Sequence, residues 1–195
     1  MILASKSERR FEILSKYTDF KVITKDVEEN NKDYLNARQL AMGLSFEKGI
    51  AVAKEHESEL VLSADTVVEI DGEIFGKPTN EADAYRMINR LSASGHRVIT
   101  AYSIFRLDDN IKYTNYEESS VYFKDLSEDD IKAYIDTKEY IGKAGAYAIQ
   151  GYGSLLVERI EGDFYNIVGL PISKIASDLQ RLLNISLLRC SHGSR

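Results

Sequence analysis

Cysteine is almost absent from this 195-residue chain: it occurs once, at Cys190. No intramolecular disulfide can form, so the sequence offers no sign of an oxidising compartment. Histidine occurs three times, at His56, His96 and His192, with no paired spacing of the kind that holds a structural zinc ion. No apolar run approaches the length of a membrane span. The first apolar stretch, Met1-Ile2-Leu3-Ala4, is broken by Lys6 and is too short for a secretion signal. A cytoplasmic location and no membrane partner are the resulting expectations. Positive charge is not in excess either. Lys plus Arg number 25 against 31 Asp plus Glu, a formal net charge of −6. That disfavours nucleic acid polymers as partners, because they require a basic surface. A local basic pocket for a small anion remains compatible with an acidic chain. There is no GxxxxGK[ST] phosphate loop, no internal repeat and no low-complexity linker.

What is present is an interleaving of strand and helix signals. Residues 1–4 read as a buried strand, 8–17 as a helix and 20–24 as a second strand. Residues 34–57 carry apolar residues at helical spacing, weakened by Gly43 and Gly49. Leu60 to Val68 reads as a buried strand. Asp71-Gly72 follows between apolar-rich runs, a hairpin cue. Asn80 with Asp83, and Ser127 before an acidic turn, mark helix starts running to about Leu91 and Asp136. Residues 97–107 and 111–124 read as long hairpin-connected strands, 154–160 as a strand and 170–183 as a final helix. Residues 184–195 lose periodicity and are expected to be a loose tail after one domain spanning 1–183. Hairpins mixed with crossovers predict a mixed sheet flanked by helices.

Several residues stand out against that frame. Ser5-Lys6-Ser7-Glu8-Arg9-Arg10 joins a strand to a helix start, with Ser7 as the natural cap. Two guanidiniums there suit phosphate oxygens. Asp65 interrupts a run that otherwise reads as buried strand; a buried carboxylate needs a cation, a metal or hydrogen bonds. Glu28 and Glu29 lie in an acidic loop and are candidates to complete a Mg²⁺ or Mn²⁺ site with Asp65. Lys48 and Lys77 are candidates to converge with Arg9 and Arg10 on a triphosphate. Gln150 offers a donor and an acceptor that suit the edge of thymine or uracil. Tyr147 or Tyr152 could stack on a base, although core packing is the commoner use of such residues.

Six ordered stretches give these features a context: Leu3–Arg10, Glu47-Lys48, Ala64–Val68, Gly76-Lys77-Pro78, Lys143–Gly151 and Asn166–Pro171. On them, the chain resembles the Maf family of nucleoside triphosphate pyrophosphatases over residues 1 to about 183. Lys143-Ala144-Gly145-Ala146-Tyr147-Ala148-Ile149-Gln150-Gly151 looks like the branch that hydrolyses dTTP and UTP. The resemblance implies an α/β, inosine triphosphate pyrophosphatase-like fold, an elongated mixed sheet in two lobes around a central cleft, often dimeric. It implies Asp65 as proton acceptor, with Arg10, Thr66 and Gln150 setting substrate choice. It implies Ser5, Arg9, Arg10, Lys48 and Lys77 as phosphate ligands, and Glu28 or Glu29 assisting Asp65 at a divalent metal. Glu8 replaces the proline usual in the family and is expected to point outward. A nucleotide-binding regulator of cell division without turnover is the alternative class.

Overall fold

The computed structural model describes residues 1–27 and 34–190. Seven strands form one mixed sheet: β1 (Ile2–Leu3), β2 (Lys21–Val22), β3 (Val61–Ile70), β4 (Glu73–Phe75), β5 (Gly95–Arg106), β6 (Ile111–Phe123) and β7 (Val157–Glu161). Their spatial order is β2-β1-β3-β5-β6-β7, with β4 also on β3. β1 runs parallel to β2 and β3; the remaining pairs are antiparallel. The helices are α1 (Glu8–Leu14), α2 (Ala37–Ala53), α3 (Glu81–Leu91), α4 (Glu128–Asp136), α5 (Phe164–Val168), α6 (Ile172–Leu183) and α7 (Leu187–Cys190). None of the helices among the described residues is long and apolar enough to cross a membrane.

The helices divide between the two faces of the sheet. α2 covers one face, packing Leu40, Ala41 and Leu44 on Val67, Ile99 and Ala101. The other face carries the larger core, with Leu14, Ile88, Ile131, Ile167, Ile175 and Leu179 brought in by the remaining helices. The glycines that weaken the helix signal in α2 serve this packing. A Cβ on Gly49 would fall 2.3 Å from both Ser63 Oγ and the Phe105 ring, so the helix could not lie this close. Ser63 Oγ donates to Ser45 O at 2.7 Å, and Ser45 and Ser103 share a hydrogen bond at 2.9 Å.

β3 is the long central strand, and one of its edges is interrupted. β5 pairs with it from Val61 to Glu69. On the opposite edge β1 pairs with Val61 and Leu62, and β4 with Val68 to Ile70. Residues 63–67 have a sheet partner on one side only, a gap of roughly 16 Å at the usual rise per residue.

Local signals account for many of the boundaries. Asn80 accepts from Asp83 N at 2.9 Å, and Ser127 with Asp130 forms a reciprocal capping box. Asp71 and Gly72 both take positive φ in the tight turn between β3 and β4. Four expectations shift. Ser7 occupies the cap position of α1 without a side-chain cap bond; Ser5 Oγ instead accepts from Ser7 N at 3.2 Å. α1 stops at Leu14 rather than 17. A 3-10 turn at Tyr152–Leu155 delays the last strand to Val157. Residues after Leu183 do not run loose at once, because Leu187 on α7 is buried in the main core.

Asn166 on α5 ties that helix to the sheet. It is wholly buried, accepts from Thr100 N at 3.1 Å, and donates to Val98 O at 3.0 Å and Ser119 Oγ at 2.9 Å. Asn166→Ala would remove these three buried hydrogen bonds. It is expected to cost about 2–4 kcal/mol in urea denaturation, against near neutrality for an exposed asparagine such as Asn89.

His96 gives the fold a pH dependence. It is buried beside Tyr147, whose hydroxyl lies 2.9 Å from Nε2, while Nδ1 has no partner among the described residues. Burial lowers its pKa from 6.5 to about 4. The unfolded chain therefore binds this proton more readily than the folded one between those values. Stability is expected to be full above pH 6.5 and to fall by about 3 kcal/mol as pH drops toward 4. Denaturation midpoints of the wild type and His96→Leu across pH 4–7 check this, the variant losing that part of the slope.

Candidate active site

The interrupted edge of β3 opens into a cleft of about 440 Å³, within the range of small-ligand sites. The chain that leaves β1 at Ala4 forms one wall, through Ser5 to Arg10. Thr24 to Val27, Lys77, Ile141 to Ala144 and Ile167-Val168 complete the surround. Asp65 and Thr66 lie on its floor, on opposite faces of the strand, because side chains alternate along β3. With no neighbouring strand in the gap, both reach the same cavity.

Asp65 shares its face with α2, and the helix brings Lys48 against it. Lys48 Nζ donates to Asp65 Oδ1 at 2.5 Å, and both side chains are largely shielded, 23% and 13% exposed. Asp65 Oδ2 has no protein partner among the described residues. Of the partners expected for this carboxylate, a cation, a metal or hydrogen bonds, Lys48 supplies a hydrogen-bonded cation.

Thr66 faces the other helices, and Arg10 meets it. Arg10 Nη2 donates to Thr66 Oγ1 at 2.9 Å, Nε donates to Gly169 O at 2.8 Å, and Nη1 reaches Ser5 Oγ at 3.3 Å. Burial pulls the Arg10 pKa down; the nearby Asp65 charge opposes that and Arg9 adds to it. All three acceptors of Arg10 are neutral, so its charge is held in place without being cancelled by direct contact.

Charge in the cleft runs against the charge of the chain. Lys6, Arg9, Arg10, Lys25, Lys48, Lys77 and Lys143 line it, opposed by Glu8, Asp26 and Asp65. Arg9 is shifted down mainly by burial. Lys143 is shifted down by burial and by repulsion from Arg9 and Lys77, with Glu139 and Glu8 pulling the other way. Two of the remaining lysines are paired at the rim, Lys6 with Asp26 at 2.6 Å and Lys25 with Glu55. Like charges held this close store repulsion that a polyanion relieves.

Ser5, Arg9, Arg10, Lys48, Asp65, Thr66 and Lys77, all singled out in the sequence, therefore share one cavity. Gln150 does not join them: it is exposed and outside the cleft lining, although Ile149 beside it lines the wall. Glu8 is exposed but sits on the rim, near enough to raise the Lys143 pKa, rather than turning away from the cleft. Tyr147 lines the cleft but is buried, its ring packed edge-on against His96 and Phe123. Tyr152 is exposed and outside the lining. Glu28 and Glu29 lie outside the described residues. Among those described, no cluster of three or more His, Cys, Asp or Glu forms a ready metal cage.

Lys143, Thr100 and Gly169 carry no cue to a role at the site in the sequence alone. A lysine before Ala144-Gly145 carries no cue of its own until the fold sets it beside Arg9. Gly169 ends α5 with φ of 120°, and a Cβ there would lie 3.3 Å from Thr66 Oγ1 and 3.7 Å from Arg10 Nε. Gly169→Ala is expected to cost about 1–2 kcal/mol from the backbone alone. Thermal denaturation checks that cost, and ligand affinity at the cleft should fall with it because the added methyl crowds Thr66 Oγ1.

Comparison with known proteins bears on this geometry. The dTTP/UTP pyrophosphatase of Clostridioides difficile (strain 630) is 47% identical over 188 residues, covering 96% of this chain and 97% of that protein. The dTTP/UTP pyrophosphatase of Fusobacterium nucleatum subsp. nucleatum is 47% identical over 190 residues, covering 96% and 98%. A solved structure, the Staphylococcus aureus Ham1 protein, overlaps 64% of this chain and 71% of its own at 18% identity and a TM-score of 0.47. The model of the family described as Maf-like protein matches residues 1–182, from the strand that opens the cleft to the end of α6. With the match running through every wall of the cavity, the chain belongs to the Maf family.

Proposed function

We propose that this chain hydrolyses dTTP and UTP to the nucleoside monophosphate and pyrophosphate. The observation that carries the reading is the Asp65–Lys48 pair on the floor of a basic cleft, at the open edge of β3. The relatives named dTTP/UTP pyrophosphatase supply the substrate class.

Val68 and Val98, with Ile167 and Val168, give the cleft an apolar surface suited to a pyrimidine ring. Arg9, Lys77 and Lys143 give it a cationic surface suited to the phosphates. Asp65, next to Thr66 on β3, is the acid this reading sets against the α-phosphorus of a bound triphosphate. Its carboxylate orients a water for attack and takes the proton as the P–O bond forms. Lys48 fixes that carboxylate and remains beside the developing negative charge. Arg9, Lys77 and Lys143 take up charge on the departing pyrophosphate. Positioning and electrostatics carry most of phosphoryl transfer, so these cations matter as much as the base. α1 has only seven residues, and the side-chain cations rather than its helix end account for phosphate affinity.

The donor chemistry fits a divalent Mg²⁺ or Mn²⁺ ion that Asp65 would help to hold, since such ions take one or two carboxylates along with substrate phosphates and water. Glu28 or Glu29 is the acid proposed to assist Asp65. Such an ion supplies further neutralisation of the phosphate oxygens.

A panel of nucleoside triphosphates at fixed Mg²⁺ or Mn²⁺, with products separated by chromatography, tests the reading. Monophosphate and pyrophosphate from dTTP and UTP are expected. Release of diphosphate would overturn attack at the α-phosphorus, and binding without release would leave a nucleotide-binding regulator. Asp65→Asn is expected to lower turnover by about 10²–10⁴-fold with unchanged far-UV circular dichroism. Near wild-type turnover would reject Asp65 as the base.

A further inference from the structure

The hydroxyl of Thr66 has two protein partners, Arg10 Nη2 and Thr100 Oγ1, each at 2.9 Å. A guanidinium only donates, so Thr66 accepts from Arg10. Thr100 is wholly buried, directly across the sheet from Thr66. Its Oγ1 lies 2.8 Å from the main-chain oxygen of Asn166, which only accepts. The single hydroxyl proton of Thr100 is therefore committed to Asn166. The proton between the two threonines must then be that of Thr66. Asn166 cannot drift from this arrangement, because its side chain is bonded to β5 and β6.

The relay has one direction: Arg10 N–H to Thr66, Thr66 O–H to Thr100, Thr100 O–H to the Asn166 carbonyl. Thr66 has no proton left for a ligand. Its remaining lone pair belongs to a partly exposed side chain on the cleft floor, beside Val68 and Val98. A ring edge placed against Thr66 Oγ1 meets an acceptor, not a donor, at that atom.

We propose that Thr100 is a specificity-determining residue: by taking the Thr66 proton it makes Thr66 a fixed acceptor for the imide N–H of a uracil or thymine ring and sets it against cytosine. The inference rests on the proposed pyrimidine triphosphate reading. Uracil and thymine carry a proton on N3, whereas cytosine presents a lone pair there. Two facing acceptors make no hydrogen bond with each other, which discriminates more strongly than a missing methylene. A threonine hydroxyl free to rotate would donate to one ring and accept from the other. Thr100 touches no substrate; it acts through Thr66 as a positioning residue.

The test is calorimetric binding of UTP and CTP with divalent metal chelated, so that affinity is read without turnover. The wild type is expected to prefer UTP. Thr100→Val removes the oxygen and returns the Thr66 proton, and should shrink the UTP-over-CTP ratio about tenfold, largely through gained CTP affinity. Thr100→Ser keeps the relay and should keep the ratio. A purely structural role would weaken both nucleotides alike and leave the ratio in place. An unchanged ratio in Thr100→Val, or a wild type that binds both equally, overturns the proposal. Should Thr100→Val not fold, Thr66→Val at its partly exposed position must lose the preference, and retention there overturns it equally. Preferential UTP binding without pyrophosphate release would sink the proposed activity and leave the relay. Pyrophosphate release with an unaltered ratio in Thr100→Val would do the reverse.

Discussion

The site depends on a strand that stops early. β1 pairs with β3 for two residues and then turns out of the sheet at Ala4, carrying Ser5 to Arg10 away from the edge it would otherwise cover. β4 resumes pairing only at Val68. An open edge is ordinarily a liability, since its amides invite another strand. Here the opening is short, closed at both ends by paired strands and walled by the chain that left it, so it admits a small molecule and not a strand. One departure thereby exposes Asp65 and Thr66, and also delivers Arg9 and Arg10 opposite them.

The same departure explains how an acidic protein keeps a cationic cavity. Burial lowers the Lys143 pKa, and repulsion from Arg9 and Lys77 lowers it further. Arg10, beside them in the cleft, is fixed through neutral oxygens. Arg10 uses Gly169 O, Thr66 Oγ1 and Ser5 Oγ, none of which cancels its charge. Had a carboxylate taken those three donors, the structure would be as well satisfied and the field in the cleft weaker. The carboxylate that is present, Asp65, is bonded to Lys48 and not to either arginine.

Those parts of the molecule governed by neighbours in sequence could be read directly. The Asn80 and Ser127 caps, the Asp71-Gly72 turn and the long strands at 97–107 and 111–124 each follow from a few adjacent residues. Asp65 declared itself because a carboxylate in an apolar run must have a partner. What could not be read belongs to tertiary structure. α5 is five residues long, framed only by Asp163 and Gly169, and its propensity is too slight to stand out. Thr100 lies in a strand where threonine is an ordinary occupant, and only its hydroxyl partners, 34 and 66 residues away, distinguish it. Gln150 shows the opposite case: an amide in a glycine-rich stretch near Tyr147 looks like a reader of bases, yet the turn that follows leaves it exposed and outside the cleft.

Adjacent residues on β3 thus divide the labour. Asp65 faces α2 and Lys48, the side proposed to take the proton; Thr66 faces α5 and Arg10, the side proposed to read the ring. Because the strand period is two, a slip of one residue would exchange the faces and set Thr66 against Lys48 and Asp65 against Arg10. The sequence holds the register against that slip in two ways. β5 pairs with β3 over nine consecutive residues, so the slip would have to carry a whole hairpin. The Ser63 bond to Ser45 and the Ser45 bond to Ser103 lie on the α2 face only, and Gly49 leaves room there for the Ser63 hydroxyl but for nothing larger on the helix. A slip would bring Leu62 or Ala64 under Ser45, stranding a buried hydroxyl at about 1–3 kcal/mol. The serines beneath α2 take no part in the chemistry, and they are what keeps the acid and the acceptor on their proper sides.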